Sequence, residues 1–148
     1  MGVADMILGI GIDSVSISDI DKYWSRFEAQ DLERGLDALK LDPFLSRTFS
    51  ARELSDACAR GRRGSTYLAG RFAIKEAVFK AVAPRTPAGF DLRDVTSYDR
   101  ASGEPVFEGT KELQALLHDV GVAEVLLSLT HEADMAIAMA LAQGFDTH

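Results

Sequence analysis

Eight residues of this chain have the types and spacings that phosphate and metal chemistry would use: Asp13, Arg71, Lys75, Glu76, Lys80, Ser128, Thr130 and His131. Asp13 follows the apolar run Met6 to Ile12 (MILGIGI), which reads as a buried strand. A carboxylate at a strand end either caps the next helix or holds a hard cation. Magnesium is characteristically held by one or two carboxylates, with substrate phosphates completing its shell. Glu76 would supply the second carboxylate if strand and helix lie side by side. Gly9 and Gly11 allow close backbone approach, but no third glycine follows to make a dinucleotide fingerprint.

Residues 70–83 read GRFAIKEAVFKAVA. On a helix, Arg71 and Lys75 share one stripe and Glu76 and Lys80 another, roughly 140° away. A helix this apolar is buried over much of its surface, so its charges need partners. Two readings compete for each pair. Glu76–Lys80 is either an ordinary i,i+4 ion pair, worth a few tenths of a kcal/mol, or a metal ligand beside a phosphate-binding base. Arg71 and Lys75 are either plain surface bases or anion contacts. Further on, Ser128-Leu-Thr-His-Glu closes a strand. The hydroxyls of Ser128 and Thr130 fall on the same side of that strand and can donate to phosphate oxygens. His131 can act as a base near neutral pH, or be merely an exposed turn residue.

The elements that must position these groups follow from periodicity. A helix is expected from Ser14 to about Ala29, and a second short one over Asp31–Lys40, stopped by Pro43. Ser50 to Glu53 (SARE) is a capping-box pattern for a helix reaching about Arg60. Gly61 and Gly64 mark a loop, and Ser65 is placed to cap the long helix, Thr66 to Ala83, that ends at Pro84. Val95–Tyr98 and Pro105–Phe107 read as strands around a turn. Thr110–Asp119 is an amphipathic helix with Gly121 as its stop. Val125–Thr130 and Met135–Ala142 read as strands joined by the turn His131–Asp134; the second is so rich in alanine that context carries it. The expectation is an α+β fold, residues 1–148 as a single domain, with an antiparallel sheet packed on a long central helix.

Composition limits the function classes. The 148 residues, 47% hydrophobic and 26% charged, suit one globular domain. The lone Cys58 permits neither an intrachain disulfide nor a cysteine-rich zinc site, which fits a reducing cytoplasm. No apolar run reaches the roughly 18 residues of a membrane span, and the opening residues lack the basic leader of a signal peptide. With a net charge of −7 the chain is a poor nucleic-acid binder. Yet residues 57–90 hold seven bases (Arg60, Arg62, Arg63, Arg71, Lys75, Lys80, Arg85) against the single acid Glu76. That window carries +6 and the remainder −13, so a local anion site is expected rather than a general one.

In combination the motifs are specific. GIGIDSV, LAGRFAIKEAVFKA, SGEPVFEG and LLSLTHEADMAIAMAL resemble, in this order, the holo-acyl-carrier-protein synthase family of small 4′-phosphopantetheinyl transferases. The resemblance implies transfer of phosphopantetheine from coenzyme A to a serine of an acyl carrier protein or carrier domain, releasing adenosine 3′,5′-bisphosphate. It implies Mg²⁺ held by Asp13 and Glu76, Lys80 on the departing phosphate, and phosphate contacts from Arg71, Lys75, Ser128, Thr130 and His131. The base for the acceptor serine stays open among Glu76, a water on the metal, and His131. It also implies a cytoplasmic homotrimer with sites between subunits. Two departures bear on the carrier. The segment SISDIDKYWSRFEAQ sets Asp19 and Asp21 beside only two bases, Lys22 and Arg26, and DLERGLDALKLDPFL is long. Apolar grip through Tyr23, Trp24 or Phe27 is therefore expected. The alternatives are a silent coenzyme A-binding or structural subunit of the same fold, and a different metal-dependent nucleotide enzyme.

Overall fold

The computed structural model describes residues 6–26 and 42–145. A three-stranded antiparallel sheet in the order β1-β5-β4 is built from β1 (Ile7–Ser16), β4 (Val122–Glu132) and β5 (Met135–Gly144). The long helix α4 (Gly64–Val82) lies across one face, against β1 and β5. Around it stand α1 (Ile17–Trp24), α2 (Pro43–Thr48), α3 (Ala51–Ala59) and α5 (Lys111–Asp119). A hairpin of β2 (Ser97–Asp99) and β3 (Pro105–Phe107) completes the described fold. This is the expected α+β arrangement of an antiparallel sheet on a central helix.

Close packing explains the unusual strand compositions. Ala136, Ala138, Ala140 and Ala142 of β5 all face α4 and are fully buried. Beside them, Gly9 and Gly11 of β1 meet the helix backbone itself. A Cβ on Gly9 would sit on the carbonyl oxygen of Ala81, and one on Gly11 on that of Ala77. Small side chains let α4 lie almost in contact with the strands, and this outweighs the poor strand propensity of alanine. Gly11→Ala is accordingly expected to destabilise the protein by at least about 2 kcal/mol, because rigid backbone is what must move. Chemical denaturation checks it: an unchanged midpoint would refute the close approach.

The other sheet face is exposed. Ile10, Leu141 and Leu126 form one row across it, and Ile12, Met139 and Ser128 the next. Ile10 is 62% and Ile12 61% exposed, so the run Met6–Ile12 is buried on one side only, a correction to the expected buried strand.

Several boundaries differ from the sequence reading. The first helix runs only over Ile17–Trp24, since β1 continues through Ser16. The expected helix at 31–40, and Phe27, lie outside the described residues. Pro43 starts a helix instead of stopping one: Asp42 caps α2 by accepting hydrogen bonds from the Phe44 and Leu45 amides, and proline suits the first turn, where no donor is lost. Ser50 and Glu53 do form the capping box of α3. Helix α4 begins one residue before Ser65, straight out of the 3₁₀ turn Gly61–Arg63, so Ser65 is no cap. The first hairpin strand begins at Ser97 rather than Val95. Thr110 caps α5, and Gly121, at φ 90°, takes the left-handed position just past its end. His131 belongs to β4 rather than to the turn after it.

Candidate active site

Strand β1 and helix α4 bring Asp13, Glu76 and Lys80 together. Lys80 donates to the Asp13 carboxylate at 2.9 Å and to the Ile12 carbonyl at 3.1 Å. The expected intrahelical pair Glu76–Lys80 is therefore not what forms: the strand carboxylate takes the lysine. Glu76 is half-buried beside Asp13. Burial first, then the Asp13 charge, push the Glu76 carboxyl above its ordinary range, against the opposing pull of Lys80. Two carboxylates held close at such cost suit a hard divalent cation, which removes the repulsion. Among the described residues no group of three or more His, Cys, Asp and Glu side chains could hold a metal. A cation here would rely on the pair alone and take its other ligands from water or substrate. Both carboxylates line a groove of about 560 Å³, bounded by α1 and by Phe44 and Phe72.

The remaining candidates lie elsewhere. Ser128 and Thr130 are on the exposed sheet face, paired with Met139 and Ile137 of β5. His131 is on the opposite face, its ring near Gly70 of α4. Gly70 and Glu76 are six residues apart, about 9 Å along a helix and on different sides of it. His131 instead lines a second cavity, of about 470 Å³, with Arg60, Arg63, Tyr67, Arg71 and Asp99. The two cavities share no residue.

Arg71 is nearly buried, donating to Ser97 Oγ and to the Asp99 carboxylate, both at 2.6 Å, and so ties α4 to the hairpin. Its guanidinium and that of Arg60 both lie over the Tyr67 ring, at 5.0 and 4.0 Å. Burial pushes the Tyr67 hydroxyl up to about 12, so it stays a neutral donor. Tyr67 and Arg60 join the candidates. Arg60 belongs to the basic window, whereas Tyr67 is marked only by lying four residues before Arg71, on the same helix stripe.

Lys75 leaves the list. It is wholly buried, paired with Glu53 at 2.8 Å and donating to the carbonyls of Leu92 and Val95 at 2.9 and 2.7 Å. Burial lowers the pKa of its ammonium, and Glu53 opposes that. All three donors are spent inside the protein, so the base reaches no substrate. Trp24 is likewise corrected as a surface contact: it is buried under the start of α4 and donates to the Gly61 carbonyl.

Residues 9–140 match the 4′-phosphopantetheinyl transferase superfamily. The chain belongs to that family. Among its relatives in the superfamily is the holo-[acyl-carrier-protein] synthase of Treponema denticola, 37% identical over 94% of this chain and 100% of the relative. That of Desulforudis audaxviator is 36% identical over 94% and 95%. The crystal structure of a holo-(acyl-carrier-protein) synthase from Bacillus anthracis, in complex with CoA (3′,5′-ADP), superposes with a TM-score of 0.65 at 25% identity, over 95% of this chain and 99% of that one. The protein is thus a phosphopantetheinyl transferase by family. Among the described residues no helix is long and apolar enough to cross a membrane.

Proposed function

We propose that this transferase moves 4′-phosphopantetheine from coenzyme A to a serine of an acyl carrier protein or carrier domain in the cytoplasm, with Mg²⁺ held by Asp13 and Glu76. The observation that carries the reading is the Asp13–Glu76–Lys80 constellation, two oxygen-donor carboxylates and a base at the mouth of one groove. When bound, the metal supplies neutralisation of the pyrophosphate and polarisation of the attacked phosphorus. Lys80, half-exposed and held by Asp13, is the proton donor or counter-charge for the departing phosphate. The acceptor serine oxygen forms a bond to the phosphorus that bears pantetheine. The bond to the bridging oxygen breaks, and adenosine 3′,5′-bisphosphate departs. Glu76, its affinity for protons raised by its surroundings, is placed to take the serine proton when no metal holds it, and His131 is the alternative base.

The second cavity supplies cations for the nucleotide phosphates, from Arg60, Arg63, Arg71 and His131. Its separation from the carboxylate groove supports a site completed by two subunits. The exposed apolar face of Ile10, Ile12, Leu126 and Met139 supports self-association, and the family resemblance makes the assembly a homotrimer. Ser128 and Thr130, on that same face, would then meet phosphate across the subunit boundary.

Intact mass spectrometry of a carrier incubated with the protein, coenzyme A and Mg²⁺ tests the reading. The expected result is a gain of one phosphopantetheine that disappears in the Ser→Ala carrier. Coenzyme A binding without any gain on free carriers or excised carrier domains would favour the silent-subunit alternative.

A further inference from the structure

The groove that exposes Asp13 and Glu76 must also admit the acceptor serine, so its walls meet the carrier; this step rests on the transferase reading above. The charged groups of those walls offer no free cation. Lys22 is paired with Asp19 at 3.2 Å. Arg26, the other base just past α1, leans over the Tyr23 ring at 5.3 Å and towards the buried Asp42 carboxylate at 3.7 Å. Asp13, Glu76 and Asp19 line the groove against the single base Lys22, and Asp21 adds exposed negative charge beside it. A strongly acidic surface would approach carboxylates, and like-charge juxtaposition costs both affinity and encounter rate.

The apolar part is well built. Tyr23 and Phe44 stack at 4.4 Å between centroids, nearly parallel at 25°. Phe44 meets Phe72 edge-on at 5.6 Å and the buried Phe49 at 6.2 Å. Tyr23, Phe44 and Phe72 all remain half-buried on the groove. Three aromatic rings, locked by one another and anchored on a core residue, present contact area at little entropic cost. Such pre-organised aromatic anchors carry most of the energy of an interface, and exposed rim charges little.

We propose that this enzyme takes carriers whose surface around the acceptor serine is apolar and of low charge, docking an apolar side chain against Tyr23, Phe44 and Phe72 instead of being drawn in by charge. The test measures carrier KM at saturating coenzyme A and Mg²⁺, with an acidic acyl carrier protein and a copy of it whose surface carboxylates near the serine are replaced by neutral residues. The neutral copy is expected to be the better substrate. Its KM should change less than about threefold between roughly 50 and 500 mM salt, a range over which charge-steered association weakens steeply. Tyr23→Ala should raise carrier KM about tenfold, with coenzyme A KM and melting temperature unchanged, and Tyr23→Phe should restore it. Replacing Asp19 and Asp21 by Lys should improve the acidic carrier alone. A preference for the acidic carrier that salt abolishes, or a carrier KM indifferent to Tyr23→Ala, overturns the proposal. Failure of the transferase reading looks different: no transfer to either carrier at any salt.

Discussion

Glu76→Gln is expected to lower phosphopantetheine transfer about a thousandfold while leaving the melting temperature at or slightly above that of the wild type. The size follows from a lost metal ligand: Lewis-acid stabilisation is worth several kcal/mol, and each 1.36 kcal/mol is a factor of ten. The sign of the stability change follows from linkage. In the fold, burial and Asp13 raise the Glu76 pKa above its unfolded value. The stabilisation that goes with a protonated Glu76 is complete below the unfolded pKa and is lost as pH rises through the folded one. At neutral pH the wild type therefore carries a charge that its surroundings disfavour, and neutral glutamine relieves it. Mg²⁺ should reverse this in the wild type, raising its melting temperature by binding the folded state, and should do less for the variant. The raised pKa also places the acid limb of the activity profile above the ordinary glutamate range at low Mg²⁺. Transfer kinetics and a melting series with and without Mg²⁺ check all of these. Near-wild-type activity in Glu76→Gln would reduce Glu76 to a neighbour of the Asp13–Lys80 ion pair.

Lys75→Met is the prediction of largest structural effect. It leaves Glu53 as a buried carboxylate with no counter-ion, and one of its oxygens, Oε2, has no hydrogen-bond partner even in the wild type. Breaking a buried pair by removing one partner costs about 3–5 kcal/mol, a large share of a typical domain's stability of roughly 5–15 kcal/mol. The same contact anchors three regions at once. Glu53 caps α3, Lys75 belongs to α4, and the carbonyls of Leu92 and Val95 belong to the segment leading into the hairpin. The double variant Glu53→Gln/Lys75→Met should recover much of the loss, since it leaves no unpaired charge. Denaturant unfolding of the two single variants and the double one measures the coupling. A Lys75→Met protein of native stability with a raised coenzyme A KM would return the lysine to the substrate.

Much of the fold was legible because local rules and tertiary packing agree. The capping box at Ser50–Glu53, the end of α5 at Thr110–Gly121 and the period of α4 each follow from neighbours in the chain. The alanine strand β5 shows where context had to decide. Its propensity is poor, and what makes it a strand is the nearness of α4, which larger residues would prevent. Pro43 misled because proline is equally suited to ending one helix and opening the next, and the Asp42 cap tips it to the second.

The site divides in the same way. The residue types at Asp13, Glu76 and Lys80, and their order in the chain, were enough to indicate two carboxylates and a base serving one phosphate chemistry. A helix of that composition also implied that its charges would find partners. Which partners they found was a matter of tertiary structure alone. Lys75 and Lys80 are one and two turns from Arg71 and Glu76 and look equivalent on a wheel, yet one is sealed in the core against Glu53 and the other stands at the groove with Asp13. Likewise Ser128, Thr130 and His131 are neighbours in sequence but lie on opposite faces of β4, so a single chain cannot bring all three to the carboxylates. Local spacing determines the side of an element on which a group emerges. Only the packing of distant segments decides what that side faces, because burial, counter-charge and distance are properties of the folded chain.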